Sequence, residues 1–132
     1  MSPHSSAFIH APISIGELID KITILEIKCK NLKDQALIHC QRELYLLEQC
    51  LNSSNSCVNA RLVSELKEVN QSLWDIEDQI REHEKQQDFG AVFVDLARSV
   101  YKTNDRRSAI KRIINVECGS AIIEEKSYSE YY

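Results

Sequence analysis

The sequence has few of the residues that turn or break a chain. Among its 132 residues there are three glycines and two prolines, and aromatic residues make up 7%. Sandwiches and barrels of short β-strands need frequent turn residues rich in glycine and proline. Their scarcity argues against an all-β protein, and the many Leu, Ile, Glu, Lys and Gln residues favour helices.

Long hydrophobic runs and an excess of basic residues are also missing. No uninterrupted apolar run exceeds four residues, whereas a membrane-spanning helix needs about 20. We therefore expect no membrane insertion and no signal-peptide core. The formal net charge is -4, which argues against general nucleic-acid binding.

The cysteines and the motif content narrow the chemistry further. Five cysteines, an odd number, lie far apart in the sequence. This pattern argues against a disulfide framework or a metal cluster and favours a reducing cytoplasm, with the thiols buried as small hydrophobic groups. The P-loop, HExxH, GxSxG and CxxC motifs are absent, so no catalytic residue, metal or cofactor is predicted, and enzymatic activity is left open.

Residues 14–32 form the most strongly patterned stretch of the chain. Apolar residues recur there at steps of three and four, and Ile19, Ile24 and Ile27 add apolar surface off that stripe. Ser14 and Glu17 match a capping box, in which each side chain bonds a backbone N–H at the helix start. A helix that is apolar on several sides needs neighbours on at least two of them.

The same spacing predicts three more helices, over residues 34–51, 59–86 and 89–118, with Asn59 and Asp88 as N-caps of the last two. Short links make successive helices antiparallel, so the predicted fold is an all-α bundle of about four helices with coiled-coil-like packing. The predicted division is a disordered arm over 1–12, a helical domain over 13–119 and a C-terminal tail over 120–132.

Folding the last helix back on the third brings an acidic segment against a basic one. The predicted surface pairs are weak, each worth at most about 1 kcal/mol. They are Asp78 with Arg98, Arg81 with Asp95, and Asp75 with Lys102.

The apolar stripe of the last helix shifts near residues 103–105. Continued at helical spacing, the line through Phe93 and Val100 reaches Asn104, Arg107 and Lys111. Either the helix kinks or restarts there, or it is continuous and these polar groups point inward. In the second case they must be paired, because an uncompensated buried charge costs several kcal/mol.

A continuous helix would create a candidate anion-binding site, because guanidinium groups suit carboxylate or phosphate oxygens. Its residues are Arg98, Tyr101, Asn104, Arg107 and Lys111. The preferred alternative needs no ligand: the cations balance the acidic third helix and the helix dipole. The acids Glu17 and Asp20, three apart, are likewise interpreted as a solvated face and not as a magnesium site.

Two surfaces are candidates for contact with a protein partner or a second copy. One is the first helix, through Ile24 and Ile27, and the other is the tail, through Tyr128 and Tyr131. Tyrosine suits interfaces because it combines apolar area with a polar tip.

Four long strings of the sequence stand out: ISIGELIDKITILEIK, VNQSLWDIEDQIREHE, DFGAVFVDLARSVYKTNDRRSAIKRIIN and GSAIIEEKSY. Together they resemble a family of small bacterial all-helical proteins of unknown function that occur near genes for cell-surface polysaccharide and glycosyl transfer. The resemblance implies a shared helical fold and a bacterial source, and it implies no activity.

These observations leave two hypotheses for function. The first is a non-enzymatic interaction or assembly module, linked through the resemblance to surface-polysaccharide synthesis. The alternative is a binder or enzyme for a small anionic metabolite, such as a nucleotide-sugar or a carboxylate, that uses the basic stretch of the last helix.

Overall fold

The structure, a computed structural model, describes residues 7–131 and contains four helices with no strand in that range. The helices are α1 (Ile15–Asn31), α2 (Asp34–Ser53), α3 (Ala60–Lys85) and α4 (Ala91–Glu117). The predicted all-α fold is therefore confirmed. Part of the predicted N-terminal arm, residues 1–6, and residue 132 of the tail lie outside the described residues. No helix within 7–131 has the length and apolar content needed to cross a membrane.

The predicted start signals of α1 and α3 are confirmed, with one difference. The Ser14 hydroxyl accepts the Glu17 N–H at 3.0 Å, and the Asn59 side chain accepts the Arg61 N–H at 2.9 Å. The Glu17 carboxylate binds Lys111 on α4 and does not complete the reciprocal half of the capping box among the bonds of residues 7–131. A residue predicted to act locally therefore makes a long-range contact.

The ends of α4 depart slightly from the prediction. Asp88 is not the N-cap; its carboxylate accepts the Gly90 N–H at 3.1 Å, and Gly90 takes the N-cap position. At the other end Gly119 has φ +65°, the left-handed conformation that glycine adopts without strain. The Ser120 N–H then bonds the Asn115 carbonyl at 2.8 Å, as in a Schellman motif.

The central element is α1, which contacts each of the other three helices, whereas α2 contacts α1 alone and has no buried residue. The α1–α4 contacts, Gly16 with Asn115 and Asp20 with Arg107, show that these helices are antiparallel. The predicted need of α1 for several neighbours is confirmed. The largest cluster of buried apolar residues shared by α1, α3 and α4 contains Ile19, Leu62, Leu66, Val69, Ile110 and Ile114, and α1 buries four more: Leu18, Ile22, Leu25 and Ile27.

Past this core, α3 and α4 continue as a two-helix hairpin, called here the helical arm (residues 71–104). No residue between 71 and 109 is buried, although the apolar stripe continues on both helices. Its members in the arm are all half-buried: Leu73, Ile76, Ile80, Phe93, Leu96 and Val100. Among residues 7–131, α1 flanks only the base of the arm across an open groove, so no third helix covers this stripe.

The structure decides between the two alternatives for α4. The helix is continuous through residues 103–105. The predicted α3–α4 ion pairs are wrong: within residues 7–131 none of the three forms, and Arg81 instead pairs with Glu77 on its own helix at 3.3 Å. Water at these exposed positions screens the charges, so little energy holds long side chains in one geometry.

The five cysteines are free thiols. The expectation that they are buried is wrong for Cys50 and Cys57, which are exposed, and the other three are only half-buried. Burial still raises the pKa of the Cys118 thiol, aided by the charge of Glu117. Within residues 7–131 no group of three potential ligands lies close enough to hold a metal ion.

Candidate functional site

A buried ion pair joins α1 to α4. The Asp20 side chain is 0% exposed, and its Oδ1 accepts Arg107 Nε at 2.9 Å and Asn70 Nδ2 at 2.8 Å. A second bond runs from Arg107 to Oδ2, so the guanidinium grips the carboxylate with two donors. Such bidentate, charge-assisted bonds are the strong ones in proteins.

The surroundings of Asp20 keep its carboxylate ionised. Burial raises its pKa, but hydrogen bonds from Arg107 and Asn70, together with the charges of Arg107 and Lys111, outweigh burial and hold the pKa below 3.8. The bond to Asp20 in turn raises the pKa of Arg107. Both groups are therefore charged at neutral pH, and each compensates the other's loss of water.

Lys111 completes the charged cluster one turn further along α4. Its ammonium lies 2.5 Å from Glu17, 3.5 Å from Glu124 in the tail and 3.7 Å from Asp20. Arg107 and Lys111 thus point inward, toward acids of α1 and the tail. The preferred interpretation, that they balance the acidic third helix, is wrong for these two residues, and the interpretation of Asp20 as solvated is wrong as well.

A close approach of α1 to α4 places these partners opposite one another. The Gly16 N–H donates to Asn115 Oδ1 at 2.6 Å. A Cβ at position 16 would lie 2.6 Å from the Lys111 carbonyl oxygen and 2.9 Å from Asn115 Oδ1, so only glycine fits. The Ile15 N–H also donates to the Ser120 hydroxyl at 3.2 Å, which ties the start of α1 to the chain beyond α4.

The five residues of the predicted anion site do not form one site. Arg107 and Lys111 share Asp20 as a partner, but Arg98 is exposed and makes no ion pair within residues 7–131. The Tyr101 ring packs against the Tyr131 ring at 5.0 Å, and Asn104 is half-buried. Of the five residues, only Arg107 and Lys111 lie close together, on either side of Asp20.

An open groove of about 470 Å³ lies beside the ion pair, between α1 and the base of the helical arm. Ile24, Ile27, Leu73 and Trp74 supply its apolar wall, and Arg107 lines it. Arginine has five N–H donors; two bind Asp20, and the other three have no partner among residues 7–131. The rim of the groove carries charges of both signs: Lys28, Glu77, Asp78 and Arg81.

The four predicted interface residues differ in exposure: Ile27 is buried, Ile24 is half-buried, and Tyr128 and Tyr131 are exposed. Ile27 is 1% exposed and is part of the core of this chain, because α1 has neighbours on several sides; Ile24 is half-buried on the groove wall. The tail returns along α4, where Lys126 binds Asp105 at 2.6 Å and Tyr131 packs on Tyr101. Tyr128 is exposed, with the Lys126 ammonium 5.5 Å from its ring centre.

Sequence reasoning missed three residues of this region, Gly16, Asn70 and Asn115. Asn70 and Asn115 are buried, and each directly follows a buried apolar residue of its helix. Arg107 and Lys111 were singled out because they interrupt an apolar line, whereas these two asparagines lie beside one, where most polar residues face water. Gly16 gives a weaker signal, as the one glycine inside a predicted helix start.

The fold and the site together define a small all-helical protein with a buried ionic cluster and a groove beside it. The chain belongs to a family of unknown function, DUF6165, whose family model matches residues 9–131. Neither the comparison with curated proteins nor that with solved structures gives a match. The family match confirms the part of the resemblance that concerns a family of unknown function.

Proposed function

We propose that the protein is a non-enzymatic interaction or assembly module and that the helical arm is its binding surface. The observation that carries this proposal is the change in burial along one apolar stripe. On α3 the stripe is fully buried at Leu66 and Val69 and only half-buried from Leu73 onward. Along the arm the stripe keeps its apolar residues, although residues 7–131 cover them only in part there.

The tip of the arm adds further apolar surface. Phe89, just before α4, and Val92 and Val94 at its start are exposed, Val92 to 59%. Val92 and Val94 flank the half-buried Phe93 in the sequence, and the Phe89 ring packs against the Phe93 ring at 5.2 Å. Contiguous exposed apolar patches on a small protein mark surfaces that other molecules cover. Helices that lack a covering neighbour gain most from packing against other helices.

The setting we propose is the bacterial cytoplasm, alongside the enzymes of surface-polysaccharide synthesis. The support for the setting is the resemblance of four long strings to proteins found near such genes, together with five free thiols. Free cysteines are the norm in a reducing compartment. The partner in this setting is a protein.

The arm is tested by replacing Phe89 and Val92 together with Ser. We expect binding of the full chain to a purified protein partner, or to itself, to weaken at least tenfold, because apolar anchors carry most of the energy of such interfaces. The matched control is Ile38→Ser with Tyr45→Ser on the outer face of α2, where both side chains are also exposed. Calorimetric titration measures binding to a protein partner, and sedimentation velocity measures self-association.

Two outcomes would contradict the proposal. One is an arm variant that binds as tightly as the wild-type chain while the α2 variant does not. The other is a wild-type chain that retains no protein from cytosol and sediments as a single 15.2 kDa particle at all concentrations.

A second candidate function, the binding of a small anionic metabolite, is favoured by the unused donors of Arg107. They would take a carboxylate or phosphate, while Trp74 offers an aromatic face to a flat ring, as in a nucleotide-sugar. Pockets of roughly 300–1,000 Å³ with an apolar wall and a few polar groups are the usual sites for such ligands, and this groove is within that range.

Trp74 makes the second candidate directly testable, because it is the only tryptophan in the chain. We expect nucleotide-sugars, but not sodium chloride at the same ionic strength, to quench its fluorescence and to raise the melting temperature. At a hundred times the Kd, ligand binding stabilises the folded state by about 2.7 kcal/mol. Arg61→Ala, far from the groove lining, is the control; unchanged fluorescence with nucleotide-sugars, citrate and phosphate at millimolar concentration rejects this candidate.

A further inference from the structure

Two of the five free cysteines meet at one end of the bundle, away from the helical arm. Cys118 is the C-cap of α4, and Cys57 lies in the irregular link between α2 and α3. The Cys118 Sγ lies 3.5 Å from the Cys57 carbonyl oxygen, although the two residues are 61 apart in the sequence. A carbonyl oxygen is about 2.4 Å from its own Cα. The Cys118 sulfur is therefore within about 6 Å of the Cys57 Cα.

The packing around these two thiols holds them near each other without fixing their sulfurs. Val58, next to Cys57, and Cys118 both pack against the apolar core. Residues 54–59 lie outside the helices, so no helical hydrogen bond opposes a small shift of the link. Bridged cysteines have Cα atoms about 4.4–6.8 Å apart, and a side-chain rotation with such a shift brings the pair to that geometry.

The two thiols differ in how they meet a solute. Cys57 is exposed, whereas Cys118 is half-buried. Burial raises the pKa of the Cys118 thiol, and the nearby Glu117 carboxylate and Cys57 thiol raise it further. Only a thiolate is a strong nucleophile. An oxidant arriving from solution therefore reacts at Cys57, and Cys118 is left as a reduced thiol beside the product.

We propose that Cys57 is a site of oxidation by hydroperoxides and that Cys118 is its resolving thiol. The Cys57 thiolate attacks the peroxide: an S–O bond forms, the O–O bond breaks, and the leaving oxygen takes up a proton as an alcohol, or as water from hydrogen peroxide. The Cys118 sulfur then attacks the Cys57 sulfenic acid. An S–S bond forms, the S–O bond breaks, and water leaves with the proton of the Cys118 thiol. One peroxide is reduced and two thiols become one disulfide.

This disulfide joins the α2–α3 link to the end of α4. It closes a long loop, because its cysteines are 61 residues apart, and cross-links over long loops restrict the unfolded chain most. We expect the oxidised chain to melt about 10 °C higher than the reduced chain. Disulfides in cytoplasmic proteins are usually transient and redox-sensing, which agrees with the compartment proposed above.

The test treats the full, reduced chain with about 100 µM hydrogen peroxide, alkylates the remaining thiols and maps the cysteines by mass spectrometry. The wild-type chain should keep three of its five thiols and yield a peptide that joins Cys57 to Cys118. Dithiothreitol should restore all five thiols and the lower melting temperature. Cys118→Ser should stop at a Cys57 sulfenic acid that dimedone traps, and Cys57→Ser should form no such bond.

The matched control is Cys50→Ser, because Cys50 is also an exposed cysteine but belongs to α2. This variant should form the Cys57–Cys118 bond as fast as the wild-type chain does. Far-UV circular dichroism checks that every variant folds. The inference is overturned if peroxide forms no disulfide, or if the disulfide joins other cysteines only. It is also overturned if dimedone labels Cys50 and not Cys57 in the Cys118→Ser variant.

Discussion

Replacing Asp20 with Ala is expected to lower the free energy of unfolding by about 3–5 kcal/mol. The substitution leaves Arg107 with no counter-charge for its two inner donors, and it removes an acceptor of the buried Asn70 amide. Removing one member of a buried ion pair costs this much because the other charge remains away from water. Urea denaturation followed by circular dichroism measures the change.

A matched control lies on the same helix. Glu26 pairs with Lys67 of α3 at 3.3 Å, and both side chains are more than a third exposed, so Glu26→Ala should cost less than about 1 kcal/mol. An Asp20→Ala variant no less stable than Glu26→Ala would show that the cluster contributes little to the fold.

The pH dependence of stability separates the charge of Asp20 from its shape. The pKa of Asp20 in the folded chain lies below the ordinary value of 3.8. Its contribution to the free energy of unfolding is therefore complete at pH values above 3.8 and is lost as the pH falls toward the folded pKa. Asp20→Asn keeps the size but cannot titrate. The stability difference between wild type and Asp20→Asn should therefore be constant from pH 5 to 8 and shrink below pH 4.

The helices were predictable because their signals are local. Apolar residues at steps of three and four, a Ser or Asn cap and a glycine after the last turn act within one turn of the chain, and Ser14, Asn59 and Gly119 all do what their types indicate. The start of α4 was misplaced by two residues because Asp88 closes a turn before the helix. The local sequence does not distinguish an Asp that caps a helix from an Asp that closes the turn before it.

Of the charged cluster, only the basic residues on α4 could be predicted from the sequence; their acidic partners on α1 could not. Arg107 and Lys111 stand out because they interrupt an apolar line, but their partners, Glu17 and Asp20, also match the ordinary pattern of a solvated helix face. Whether these acids face water or the cations of α4 depends on how α1 sits against α4. That position depends on Gly16, a contact between residues 99 apart in sequence, and no local signal encodes it.

Replacing Gly16 with Ala is expected to destabilise the fold by about 2 kcal/mol, against the usual trend. Elsewhere in a helix this change stabilises by roughly 0.5–1 kcal/mol, because alanine is the better helix former. Here the new Cβ would lie 2.6 Å from the Lys111 carbonyl oxygen, a backbone atom that cannot rotate away. Overpacking of this kind costs about 1–3 kcal/mol, and moving the helices apart also weakens the Gly16–Asn115 bond.

The same substitution at Gly90 is the control for this prediction. A Cβ there would meet only the end of the Asp88 side chain, at 3.3 Å, and that side chain can turn toward water. Gly90→Ala should therefore cost less than about 1 kcal/mol, the loss of a favourable N-cap residue. Because Gly16→Ala separates α1 from α4, it should also reduce the pH dependence that comes from Asp20. A Gly16→Ala variant as stable as the wild type, with that dependence intact, would mean that the close approach does not position the ion pair.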